Sequence, residues 1–117
     1  MDESILKLEK QGNVAILALT LDSVLWDDNE QLKRIYAGLL QEGTKSIILD
    51  LSKTGYVSSI VLASFVYMFK MAKDAGGTMV LCGLNSKVKE LLSMTNLDKV
   101  LDLAADRHEA LARLLSP

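Results

Sequence analysis

Hydrophobic positions along this chain switch between two periods. Residues Ile5 to Lys10 alternate, Leu6 and Leu8 against Lys7 and Glu9, the period of two that marks a half-buried strand. Gln11-Gly12-Asn13 reads as a tight turn, because Gly and Asn tolerate left-handed backbone angles. Val14 to Leu21 returns as a more continuously apolar strand, so the chain opens with an antiparallel pair. After a connection from Leu21 to Trp26 the period lengthens: Leu32, Ile35, Tyr36, Leu39 and Leu40 make one helical stripe. Asp27, Asp28 and Glu30 suit the positive end of that helix. Asp28 is placed to act as N-cap, with Gln31 completing a capping box, and Gly43 supplies the stop.

The next stretch is the most apolar. Lys45 to Ser52 contains the short run Ile47-Ile48-Leu49, as expected of a strand buried on both faces. A turn with Gly55 follows, then the pair Ser58-Ser59, and either serine can accept hydrogen bonds from the free N–H groups that begin a helix. That helix runs from about Ser59 to Lys73, and only Ser64 interrupts its apolar run from Ile60 to Phe69. Leu62, Phe65, Val66 and Phe69 form a stripe for the sheet. Ile60, Ala63, Tyr67 and Met71 form a second, which either packs on neighbouring helices or, with Tyr56 and Val57, makes an exposed apolar patch around the serines, a mark of a protein interface.

Gly76-Gly77 then leads into a strand from Thr78 to Leu84. Asn85 or Ser86 caps a helix through about Thr95, with Val88, Leu91 and Leu92 inward and Asn96 ending it. Val100 to Leu103 is a short last strand, and Asp106 with Glu109 makes a capping signature before a helix bearing Leu111, Leu114 and Leu115. Helix and strand alternate after the opening pair, so the fold class is α/β with a mixed sheet whose later strands are joined by right-handed crossovers.

Composition narrows the function classes. Half of the 117 residues are hydrophobic, enough for a single domain over residues 1–117, burying roughly two-thirds of its unfolded surface. Thirteen basic residues against fifteen acidic ones give no footprint for nucleic acid. No run approaches the roughly twenty apolar residues of a membrane span, and the acidic start Met1-Asp2-Glu3-Ser4 lacks the basic region of a signal peptide. A cytoplasmic location is expected. The lone Cys82 fits a reducing compartment and, inside an apolar strand, reads as a small buried hydrophobe.

Catalytic chemistry is sparse. One histidine, His108, and one cysteine do not make a usual zinc set, and a serine hydrolase would need a histidine beside Ser58 or Ser59. Phosphate-cradling glycine loops are absent. Asp50 ends a central strand, a common position for functional acids in α/β folds, and is expected ahead of any chemical role to cap or hydrogen-bond the turn from Ser52 to Gly55. No catalytic residue, metal or cofactor is expected, and the chain reads as a non-enzyme.

The stretch Ile47 to Ser59, with strand, Asp50-Leu51-Ser52 turn and serine pair opening a helix, resembles the signature of STAS domains, the family of bacterial anti-sigma factor antagonists. The likeness continues through Gly76-Gly77, the strand Thr78 to Leu84 and the segment from Val88 to Val100. It implies a STAS-like fold, a mixed sheet of about five strands with helices covering one face. In that family a partner kinase phosphorylates the first serine after a signature aspartate, which corresponds to Ser58 here, with Ser59 as second choice. Val57 stands at the usual aspartate and Ile60 at the usual glycine.

The resemblance implies a partner as well: an anti-sigma factor, commonly a serine kinase of histidine-kinase-like ATPase fold, bound by the unphosphorylated form, with a serine phosphatase reversing the switch. Tyr56, Val57, Ser58, Ser59, Ile60, Ala63 and Tyr67 are the candidate contact residues, on a monomer or weak dimer. The rival readings are a STAS adaptor or scaffold that takes no phosphate, and a small-ligand domain binding nucleotide or lipid, or a weak enzyme.

Overall fold

The continuous apolar runs become the centre of a five-stranded sheet. In the computed structural model, which describes residues 5–115, β1 (Leu6–Gln11) and β2 (Val14–Leu19) form the expected antiparallel pair. β4 (Ser46–Asp50), β6 (Thr78–Cys82) and β7 (Asp102–Ala104) then add in parallel, giving the order β1-β2-β4-β6-β7. Between them run α1 (Trp26–Gln41), α2 (Ser59–Asp74), α3 (Ser86–Met94) and α4 (Arg107–Leu115). The expected α/β class and mixed sheet are observed.

Strand alternation builds two cores. Ala15, Leu17, Ile47, Leu49, Met79 and Leu81 point to the face covered by α1, α2 and α3. Their neighbours Ile16, Ile48, Val80 and Cys82 point to the other, where Ala110, Leu111 and Leu114 of α4 cover them. Helices thus cover one face as expected for three of the four, and the last closes the second face. The register Ile16↔Ile48↔Val80 stacks this smaller core in one row.

Three local features depart from the sequence reading. The last strand begins at Asp102, not at Val100, after a 3-10 turn over Leu97–Lys99. The connection from Leu21 to Trp26 contains β3 (Ser23–Val24), which pairs in parallel with β5 (Tyr56–Val57). This ribbon is held by Gly55 N–H and Tyr56 N–H donating to Asp22 O at 2.7 and 3.0 Å, and by the Thr54 hydroxyl donating to Leu21 O at 2.8 Å. Asp28 is not the N-cap of α1, because the helix already begins at Trp26. Its carboxylate reaches back to accept the Leu25 N–H at 3.0 Å, the distal half of a capping box.

Cys82 is fully buried, and burial first, then the charge of Asp50, pushes its thiol up to about 12 from about 9. The folded state therefore holds this proton more tightly than the unfolded chain, so the stability linked to it is fully present below about pH 9 and is lost as pH rises from there toward 12. Urea midpoints of the wild type should fall more steeply between pH 8.5 and 10 than those of Cys82→Ala, by roughly the one proton that differs; equal slopes would contradict a buried neutral thiol.

Candidate functional site at the mouth of helix α2

The β3/β5 ribbon delivers the chain to Ser58 in extended conformation, φ −73° and ψ 162°, and Ser58 is the N-cap of α2. Its Oγ accepts the Val61 N–H at 3.3 Å and its carbonyl accepts the Leu62 N–H at 3.0 Å. The loop before it is fastened to α3: Asn85, the N-cap of that helix, donates from Nδ2 to Gly55 O and accepts the Val88 N–H at Oδ1, both at 2.9 Å. The sequence reading of both caps holds. Ser58 is half-buried and Ser59, the first helical residue, is exposed.

Around the serines stand exposed apolar groups. Tyr56 is 58 % exposed, Ile60 61 % and Tyr67 57 %, and Ala63 is exposed between the last two. The second stripe of α2 is thus a surface at these positions, with Met71 half-buried at its end. Val57 does not belong to that surface. It is 2 % exposed, because pairing with Val24 turns its side chain into the main core.

Sequence reasoning missed the other half of the patch. Leu25 and Trp26, entering α1, are exposed, and the Lys33 ammonium lies 6.0 Å from the Trp26 ring centroid and 5.5 Å from that of Tyr67. Within that range a cation is attracted to both ring faces. The signal that could have found them is Leu25-Trp26 itself, two large apolar residues outside the helical stripe and next to an acidic cluster.

Buried polar contacts set α1 beside α2. Asn29 Nδ2 donates to Ser64 Oγ at 2.8 Å and the Tyr36 hydroxyl donates to Met68 O at 2.7 Å. Burial pushes the Tyr36 hydroxyl well above the usual tyrosine range, so it stays a neutral donor. Asn29 Oδ1 is buried with no hydrogen-bond partner among the described residues.

Asp50 performs the structural task expected of it, accepting the Ser52 N–H at 3.0 Å on Oδ1. An unforeseen partner holds Oδ2: Arg107 donates to it from Nε at 3.1 Å and Nη2 at 3.0 Å, and from Nη1 to Glu9 at 2.6 Å. This fork-like contact pins the start of α4 to the end of β4. His108 is exposed. Among the described residues no three His, Cys, Asp or Glu side chains gather in a group fit for a metal, and no helix is long and apolar enough to cross a membrane. What the mouth of α2 offers is a hydroxyl, free helix N–H groups and an apolar rim.

Residues 3–110 match the STAS domain family. A Bordetella bronchiseptica protein, BtrV, named as a candidate anti-sigma factor antagonist, is 29 % identical over 83 residues, 71 % of this chain and 72 % of that one. The crystal structure of a candidate anti-sigma factor antagonist from Thermotoga maritima superposes with TM-score 0.83 and 26 % identity, covering 95 % of both chains. SpoIIAA, a Bacillus cell fate determinant solved in its phosphorylated form, shares the fold at TM-score 0.70 and 16 % identity, over 92 % of this chain and 97 % of that one. The overall fold is thus a known architecture, and the chain belongs to the STAS domain family of anti-sigma factor antagonists.

Proposed function

We propose that this chain binds an anti-sigma factor of the serine-kinase type through the mouth of α2, and so frees a sigma factor for transcription, until phosphorylation of Ser58 releases the complex. The observation that carries this reading is the position of the Ser58 hydroxyl, a half-buried helix cap preceded by exposed Tyr56 and followed along α2 by exposed Ile60 and Tyr67. A phosphate there meets the N–H groups and dipole of the helix start, so the domain accommodates it without unfolding. The same dianion within an apolar contact opposes association, because it must be desolvated. The chain is substrate and ligand and performs no catalysis of its own. A serine phosphatase restores the binding form, in the cytoplasm.

One observation favours a second reading, a constitutive adaptor that takes no phosphate. Ile60, 61 % exposed and two residues after Ser58, stands where the family usually has glycine, and the buried Val57 leaves no carboxylate at the usual aspartate position. The experiment that separates the two is a pull-down with wild type and Ser58→Glu from the source organism, with intact mass measured after treatment with the captured kinase and ATP. Under the switch reading only wild type captures the kinase, and it gains one phosphate that Ser58→Ala does not. Capture by both baits, with no added mass, makes the serines plain helix caps and the protein an adaptor.

A further inference from the structure

We infer that the free edge of β1 and the outer side of α1 form a two-fold interface with a second copy of this chain. Among the described residues β1 is one edge of the sheet and six residues long, whereas the other edge, β7, has three. A strand edge with unpaired backbone groups is a template for a further strand. The Thr20 N–H donates to Ile5 O at 2.9 Å, so in the register of β1 with β2 the odd-numbered residues Lys7, Glu9 and Gln11 exchange hydrogen bonds with β2. Leu6, Leu8 and Lys10 then aim their N–H and C=O groups outward.

Only registers that pair outward residues with outward residues are open to an antiparallel copy. Centring the pair on Leu8 sets Leu8 opposite Leu8, Leu6 opposite Lys10, and Lys7 opposite Glu9 twice. The two neighbouring allowed registers, centred on Lys7 or Glu9, set like charges against each other instead, which is unfavourable. The charges on β1 thus favour one self-pairing, in which Glu9 is shared between Arg107 of its own chain and Lys7 of the other.

The helix above this edge is complementary in the same way. A groove of about 540 Å³ between β1 and α1 is lined by Leu8, Ile35, Gly38 and Leu39 together with the charged residues Lys10, Arg34 and Glu42. At Gly38 an added Cβ would find nothing within 4 Å, so the middle of the groove is open to a close neighbour. A two-fold axis through Leu8 runs the two α1 helices antiparallel past each other at Gly38. Arg34 of each copy then meets Glu42 of the other, four residues on either side of the crossing. None of these residues belongs to the patch around Ser58, so the inference stands or falls independently of the proposed switch.

Sedimentation of the wild-type chain across micromolar to millimolar concentrations should show a reversible shift from the 12.8 kDa monomer to twice that mass. Arg34→Glu and Glu42→Arg should each raise the dissociation constant about tenfold or more, and the double variant should return to within about threefold of wild type, since both pairs re-form with reversed sign. Gly38→Arg should block association without loss of fold, because its side chain enters open space and glycine is a poor helix former. A wild type that stays monomeric throughout, a Gly38→Arg variant that still dimerises, or a double variant as weak as the singles would each overturn the interface.

Discussion

Gly77→Ala is expected to destabilise the fold by about 4 kcal/mol or more, a large share of the roughly 5–15 kcal/mol that holds a domain together. A Cβ at this position would overlap the carbonyl oxygen of Lys45 and lie 2.6 Å from its carbonyl carbon. The obstacle is backbone, so no side-chain rotation relieves it. Lys45 O also accepts the Thr78 N–H at 2.7 Å, the contact that starts the register Ser46↔Thr78 between β4 and β6. Relief therefore means sliding two central strands apart at their first pair. The adjacent glycine is a control: Gly76 has φ +85°, and its added Cβ would meet only the Lys45 ammonium at 3.5 Å, so Gly76→Ala should cost only the left-handed strain of about 1–2 kcal/mol. Urea unfolding of the two variants checks the contrast, and a Gly77→Ala variant within about 1 kcal/mol of wild type would show that the strands do not approach this closely.

Gly76-Gly77 was visible in the sequence as a turn, but the reason for the second glycine was not, because it lies in a neighbouring strand. The same division runs through the molecule. Long elements with sustained period, β1, β2, α1, α2 and α3, were legible from their own residues, and so were the caps Ser58 and Asn85, whose chemistry is local. The ribbon of Ser23–Val24 with Tyr56–Val57 was not, since two residues carry no period. Val57 was consequently assigned to a surface from which that ribbon withdraws it. The position of α4 was hidden for a different reason: the parallel strands are apolar on both faces, so their pattern does not say which helix covers which. Nor could it join Arg107 to Asp50, an interaction between residues 57 apart in the chain. The candidate site was half legible, its α2 half being continuous in sequence while Leu25, Trp26 and Lys33 arrive from α1 through the Asn29–Ser64 contact.

Tyr67→Glu should weaken binding to the anti-sigma factor by about a hundredfold or more, equivalent to about 2.7 kcal/mol, while leaving thermal stability nearly unchanged. Tyr67 lies about two and a half turns along α2 from Ser58 and is 57 % exposed, so its side chain is not part of the core that folding requires. Its intramolecular partner is Lys33, 5.5 Å from the ring centroid, an exposed cation–π contact worth about 0.5–1 kcal/mol. A glutamate at this position meets the same ammonium, which offsets part of that loss in the free protein. In the complex the balance reverses. Aromatic side chains within an apolar interface carry a disproportionate share of binding energy, and a carboxylate placed there is desolvated at a cost of several kcal/mol. Calorimetric titration of the partner with wild type, Tyr67→Glu and Tyr67→Phe distinguishes this from a general charge effect, because Tyr67→Phe retains the ring and should bind within about threefold of wild type. An unchanged affinity for Tyr67→Glu would remove α2 beyond its first turn from the interface, confining the contact to Tyr56, Ser58, Ser59 and Ile60. A lowered melting temperature in that variant would instead show that the face drawn here as surface is covered in the folded monomer.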